Sequence, residues 1–397
     1  RDAPLAGIRV LDIATFMAAP FCGTVLADFG AEVIKIEQPG SGDPLRRFGT
    51  ASECGDTYVW LSEARNKKSV TLDLRTDRGA SLFRDLVRKS DVVLENFRPG
   101  TLEKWGLGFE ALSEINPRIV MLRISAYGQD GPYRDKPGFA RIAHAFSGLA
   151  YLAGEPGRPP VMPGSTSLAD YISGLWGAVG VMMALRHVEA SGHGQVIDVG
   201  LYESVFRLLD EMATVYAKTG FVRERLGADT VNVVPHSHYC TADGKWVALA
   251  CSSDKMFERL ARAMKRPDLS KDARYAAMAE RIARRDEVNA LVAAWVATMT
   301  VEQTLAECGR YEVPCGPIYS ISDIFDDPQY RARGNIVEVD SRAGPIAIPS
   351  AVPRMSRTPP RFKHAGASLG AHTDEVLTSL AGISASSLAA LREEGII

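Results

Sequence analysis

The run "IRVLDIATFMAAPFCGTVLADFGAEVIKIEQPGSGD" near the start of the chain constrains the fold more than any other stretch. Ile8–Ala14 is a compact apolar run, the pattern of a strand buried on both faces. Pro20–Gly30 carries a helical stripe opened by proline and closed by glycine. Ala31–Asp43 supplies a second strand and then a Gly/Pro loop. Strand, helix and strand in that order predict a parallel α/β sheet. The pattern repeats, with strands over Lys68–Leu74, Asp91–Phe97 and Arg118–Gly128 and a helix over Thr76–Ser90. "TLEKWG" and "GFEALSEINP" read as short helices. Ligands of such sheets bind beyond the carboxyl ends of the strands. The tips Phe16–Ala19, Glu37–Gly42, Asn96–Gly100 and Ala126–Gly131 all fall at such ends, so a ligand is expected there.

Further on, "GHGQVIDVGLYESVFRLLDEMATVYAKTG" predicts a turn, a strand and one amphipathic helix from about Leu201. After Gly220 the texture changes. "HSHYCTADGKWVALAC" reads as a hairpin, and "SDKMFERLARAMKRP" and "IARRDEVNALVAAWVATMT" read as helices. The expected division is a large domain begun by residues 1–224, a smaller α+β domain over 225–330, and a return to the large domain over 331–397. The last segment predicts strands around a turn, a helix entered through Thr373, and a terminal helix.

Composition narrows the function. The chain has 397 residues, 46% of them hydrophobic, enough for a sizeable core. A net charge of −2 gives no reason to expect nucleic acid or an acidic membrane as the main partner. The six cysteines are scattered without a C-x-x-C pair, so free thiols and a cytoplasmic, reducing setting are expected. The start shows no signal-peptide pattern. The longest apolar run, Leu175–Leu185, is too short for a membrane span and rich in Gly and Ala, so a buried helix is expected.

Asp170 stands at the lip of that apolar run, with no further charge until Arg186. It reads either as an ordinary first-turn acid or as a nucleophile presented from a packed helix, and one residue can be both. The helix field is expected to keep it ionised. His236 and His238 would share one face of a strand, but no third ligand is apparent, so no metal is expected. His144, in "ARIAHAFSG", reads as an internal contact. There is no Walker motif, dinucleotide fingerprint or G-x-S-x-G elbow. The basic set Arg46, Arg47, Arg65, Lys67, Lys68, Arg98, Lys104, Arg123 and Lys136 falls near the ligand edge, where together it would hold phosphates.

These stretches, with "ARNKKSVTLDL", "SDVVLENFRPGTLEKWGLGFEAL", "NPRIVMLRISAYGQDGPY", "MPGSTSLADYISGLWGAVGVMMAL", "GHGQVIDVGLYES" and "LGAHTDEVL", resemble the class III coenzyme A transferases. That family also includes the alpha-methylacyl-CoA racemases. The resemblance covers nearly the whole chain. It implies a Rossmann-like large domain, a small domain and an interlocked homodimer. It puts the catalytic aspartate at Asp170 and contacts to coenzyme A at Met17, Ala18, Gln38, Leu72, Asp73, Leu74, Arg75, Asn96, Phe97, Arg98, Lys104 and Lys136. Coenzyme A and acyl-CoA enter as substrates, with no permanently bound cofactor and no metal. Some relatives have glutamine where Met17 stands and a basic residue where Gln38 stands. The second domain lacks the glycine run of formyl-CoA transferases, which argues against formyl-CoA and oxalate.

Racemases of the family carry a His-Asp pair where this chain has Phe139 and Ala140, which favours transfer over racemisation. The pattern is closest to members that move CoA from succinyl-CoA to small dicarboxylic acids. Malate, citramalate, mesaconate, itaconate and glutarate are the candidate acceptors. Arg46, Arg65 and His238 are the candidate anchors for the acceptor's second carboxylate. The alternatives are a racemase-like enzyme, a transfer within one diacid, and a non-catalytic CoA-binding homologue.

Overall fold

The computed structural model describes residues 3–397. The apolar runs form β1 (Arg9–Asp12), β2 (Glu32–Glu37), β3 (Lys67–Thr71), β4 (Val92–Glu95), β5 (Val120–Ser125) and β6 (Val196–Gly200). All pair in parallel, in the order β3-β2-β1-β4-β5-β6. Val10 lies opposite Val33 on one side and Val92 on the other. The strand order reverses between β1 and β4, which opens a crevice at their carboxyl ends.

The continuous apolar runs are explained by burial on both faces. Val10, Val92, Leu94, Val120 and Leu122 enter one apolar cluster, while their neighbours Leu11, Val93 and Met121 enter another. Helix α1 (Ala18–Asp28) and the long helix Leu168–Ser191 cover the first face. The helices Asp77–Val87, Thr373–Ala381 and Ala385–Glu393 cover the second.

The long helix corrects one expectation. It runs unbroken for 24 residues, and by length and composition it is long and apolar enough to cross a membrane. Its packing instead makes it a core helix. A Cβ on Gly174 would stand 2.6 Å from the Ala18 carbonyl oxygen, and one on Gly177 2.6 Å from Leu122 Cδ2. Only glycine lets the helix lie this close to α1 and the sheet. Its outer side leaves Leu175, Trp176, Val179, Met182 and Met183 exposed.

The chain divides into two compact units. The first takes residues up to Leu149, then Gly164–Asp210 and Ala332–Ile397; the second takes Ala150–Pro163 and Glu211–Arg331. The first break after the sheet therefore lies at 210/211 rather than 224/225, and residues 150–163 join the second unit. The single helix expected from Leu201 is two helices, Leu201–Phe206 and Met212–Thr219, with Asp210 between them at φ +40°. The left-handed Asp210 lies where the chain changes unit, four residues after the first helix has ended.

In the second unit, β7 (His236–Cys240), β8 (Trp246–Ala250) and β9 (Cys315–Pro317) form an antiparallel sheet. Helices Asp254–Ala263, Arg285–Val296 and Val301–Arg310 add Phe257, Leu260, Val288, Val292 and Val296 to its core. In the first unit, β10 (Ile336–Ser341) and β11 (Gly344–Pro349) form the late hairpin. All six cysteines are free thiols.

Candidate active site

Four strand ends line one cavity. Ile13–Thr15 follow β1, Glu37 and Gln38 close β2, Leu72–Arg75 follow β3 and Phe97 follows β4. With Ile36, Ser41–Pro44, Arg47 and Trp105 they enclose about 240 Å³. The floor is apolar, and Phe97 meets Trp105 edge to face at 5.3 Å. The rim is polar. Asp73 holds Arg75 by two bonds of 2.9 and 2.7 Å, and the Gln38 amide oxygen accepts from Arg75 Nη1 at 3.2 Å. An apolar slot with Arg47 and Arg75 at a mixed-charge rim suits a flat heteroaromatic ring attached to phosphates.

Of the residues expected to touch coenzyme A, Gln38, Leu72, Asp73, Leu74, Arg75 and Phe97 come together here. Met17 and Ala18 are buried in the core, where Met17 packs with Leu45, Trp60 and Tyr171. Asn96 braces the loop after β1: its Oδ1 accepts from Thr15 N at 2.8 Å and its Nδ2 donates to Thr15 O at 2.7 Å. Arg98 and Lys104 are exposed and do not line the cavity. Lys136 is exposed, with its ammonium 3.6 Å above the Tyr133 ring. The tip Glu37–Gly42 reaches the cavity as expected through Ser41 and Gly42, whereas the walls at Ile13–Thr15, Asp43, Pro44 and Trp105 were not among the expected residues, although the end of β1 was a signal for the first of these.

The loop after β1 is strained and braced. Phe16 adopts φ +59°, and its N–H donates to Asp43 Oδ1 at 3.0 Å. Asp43 pairs with Lys35 at 2.9 Å, and Asp12 receives both Lys35 at 3.4 Å and Lys67 at 3.0 Å. All four of these charged side chains are buried.

The basic edge needs correcting for this reason. Arg46 spends its guanidinium on Glu37 at 2.7 and 2.9 Å and on Asp56 at 2.9 Å, and it lies over Trp60. Arg65 is bound to Asp28 at 2.7 and 3.0 Å. Both arginines are 5% exposed. Their donors are committed to internal carboxylates, so neither is an anchor for a substrate carboxylate. Lys67 is likewise internal, Arg123 pairs with Glu95 and Glu103, and Lys68 pairs with Glu32 and Glu375. Arg47, Arg98, Lys104 and Lys136 remain at the surface.

Asp170 lies in the first turn of the long helix, and its N–H donates to Ser167 O at 3.0 Å. Its carboxylate has no hydrogen-bond or ion-pair partner among the described residues. Burial pushes its pKa up to about 6. No donor answers the burial, and a value of about 6 still leaves the carboxylate ionised at neutral pH. The adjacent Tyr171 ring meets Phe21 edge-on at 4.7 Å. One turn on, Gly174 rests against the Ala18 carbonyl, so this helix face is turned to the amino end of α1. An unpaired, partly desolvated carboxylate that is ionised at neutral pH is equipped to attack an activated acyl group.

His144 is an internal contact as expected: Nε2 accepts from Ala169 N at 2.9 Å. In the second unit His236 and His238 line a cavity of about 510 Å³ with Thr230, Ala248, Leu249 and Cys315. His236, weighed from the sequence only as a metal ligand, has its Nδ1 buried without a partner. Among the described residues, no group of three or more His, Cys, Asp or Glu side chains is placed to hold a metal.

Comparison with known proteins identifies the family and supports the fold. Residues 5–373 match the family described as CoA-transferase family III. The chain is 52% identical over 396 residues to the succinyl-CoA–L-malate CoA-transferase alpha subunit of Chloroflexus aurantiacus, covering 99% of this chain and 92% of the relative. It is 51% identical over 397 residues to the beta subunit from the same organism, covering 99% and 98%. A CAIB/BAIF family protein from Brucella suis superposes with a TM-score of 0.85 at 32% identity, over 96% of this chain and 100% of the other. The chain belongs to CoA-transferase family III and is an enzyme of that family, a CoA-transferase whose substrates are CoA thioesters.

Proposed function

We propose that the enzyme moves CoA from succinyl-CoA to L-malate, with Asp170 as the nucleophile. The unpaired, partly desolvated Asp170 carboxylate carries the chemical part of this reading. The substrate pair is carried over from the names of relatives at 52% and 51% identity. A carboxylate oxygen of Asp170 attacks the succinyl thioester carbonyl, and the C–S bond breaks. This gives an aspartyl–succinyl anhydride and CoA thiolate. The thiolate attacks the aspartyl carbonyl, succinate leaves, and an aspartyl-CoA thioester remains. The malate carboxylate attacks that thioester and expels the thiolate again. The thiolate then attacks the malyl carbonyl and restores the Asp170 carboxylate. Each step exchanges one acyl bond for another, so no ATP is consumed. Exclusion of water keeps the anhydrides and thioester from hydrolysis.

The cavity at the ends of β1–β4 is assigned to the adenine nucleotide of CoA, with Phe97 and Trp105 along the ring and Arg75 and Arg47 beside phosphate. His238 is the remaining candidate for a carboxylate anchor, as an exposed imidazole in the second unit's cavity. We place a second copy of the chain over Leu175, Val179, Met182 and Met183, an apolar face left exposed on the long helix. Relatives named alpha and beta subunits make a homologous chain the other occupant. Light scattering on the chain alone distinguishes them: a dimer supports the second copy, and a monomer removes it.

The substrate test is an acceptor panel with succinyl-CoA as donor. L-malate is expected to give the highest kcat/KM, followed by citramalate. A maximum on glutarate or mesaconate would replace malate. Exchange of the α-proton without CoA transfer would replace the transferase reading.

A further inference from the structure

Two helices of this chain begin with the same capping pattern, Ser167-Leu168-Ala169-Asp170 and Ser320-Ile321-Ser322-Asp323. The second closes on itself. Ser320 Oγ accepts from Asp323 N at 3.3 Å, and the Asp323 carboxylate accepts from Ser320 N at 2.8 Å. The first stays open: Ser167 makes no side-chain cap bond. The Ala169 N–H donates instead to His144 Nε2 at 2.9 Å, from the helix Ala140–Phe146.

The ring chemistry fixes what His144 does. Because Nε2 accepts, the single proton of the neutral ring sits on Nδ1. Nδ1 is buried with no partner, and the side chain as a whole is 1% exposed. A ring placed for stability alone would match both nitrogens. This one satisfies Ala169 and leaves its other nitrogen unmatched.

We propose that His144 is a positioning residue for the nucleophile: by accepting the Ala169 N–H from another helix, it fixes the backbone beside Asp170. The inference rests on Asp170 being the nucleophile. A carboxylate folded back onto Ser167 N–H would be turned toward its own backbone and weakened by the hydrogen bond. With the Ala169 N–H accepted from another helix, the helix start is held beside a carboxylate that stays free.

The test compares His144→Ala, His144→Gln and Asp170→Asn in the full chain, with succinyl-CoA and L-malate. A glutamine Oε1 reaches the place of Nε2 and accepts the same N–H. His144→Ala is expected to lower kcat about 30-fold, with KM for succinyl-CoA within about twofold. His144→Gln is expected to return kcat to within about fivefold of the parent. If His144→Ala does not fold, His144→Leu, which fills the space without an acceptor, takes its place. Unchanged kcat in the Ala or Leu variant, or equal losses in the Gln variant, would overturn the positioning role. Turnover retained in Asp170→Asn would instead overturn the nucleophile and His144's role with it. A dead Asp170→Asn beside an unimpaired His144→Ala removes only the positioning role.

Discussion

Asp170 and Asp323 hold the same position in the same four-residue pattern, yet they are opposite in condition. Hydrogen bonds from Ser320 hold the Asp323 carboxyl below its usual pKa, whereas burial without a donor lifts Asp170 to about 6. Two other buried carboxylates are answered, Asp28 by Arg65 and Asn66 and Glu37 by Arg46 and Ser69. The difference shows where the fold spends stability. Asp323 is arranged for its helix, and the proposed role of Asp170 as nucleophile accounts for a carboxylate left without a donor at some cost to its helix.

The largest expected effect breaks the comparison at its functional side. Asp170→Asn should lower the CoA-transfer rate by about 10⁴-fold or more, because the amide cannot form the anhydride. Asp323→Asn should leave the rate within about twofold. Initial rates of thioester transfer check both.

The paired carboxylates supply the next effect. Arg46→Ala strands the buried Glu37, while Asp56 keeps Arg342, and should destabilise the chain by about 3–5 kcal/mol in urea unfolding. The surviving folded enzyme should keep its KM for the acceptor, because Arg46 binds no substrate. A raised KM at normal stability would return Arg46 to the substrate site.

Acidification should sharpen the comparison further. If Asp170 is the nucleophile we propose, it must be ionised, so activity should fall as pH drops through about 6. At pH 5 about a tenth of the plateau kcat should remain. The smallest effect is on stability. The folded pKa of Asp170 lies above the unfolded value, so ionisation costs the fold, and this group's contribution weakens as pH rises from about 4 to about 6. Asp170→Asn should remove that slope and add on the order of 1 kcal/mol at pH 7. Thermal unfolding of both forms across pH reads it.

Much of the fold was legible because its signals are local. Val10-Leu11, Val92-Val93-Leu94 and Val120-Met121-Leu122 are apolar at every position, which a sheet covered on both faces requires. The cavity was partly legible for the same reason, since the ends of β2, β3 and β4 follow directly from the strands. What stayed hidden depends on partners distant in sequence. Arg65 looked free until the fold brought Asp28 to it, and Arg46 until Glu37 and Asp56 enclosed it. Ser167-x-x-Asp170 looked like a cap, and only the packed structure shows that the box stays open and that His144 accepts the Ala169 N–H. The break at Asp210 was missed because Leu201–Thr219 keeps a helical pattern through it.

The most direct measurement is mass spectrometry of the acid-quenched enzyme after incubation with succinyl-CoA, followed by peptide mapping. A CoA adduct on the peptide containing Asp170, absent in Asp170→Asn and discharged by L-malate, is the predicted result. An enzyme that transfers CoA while its adduct lies on another residue, or that turns over equally well with asparagine at 170, would contradict the account.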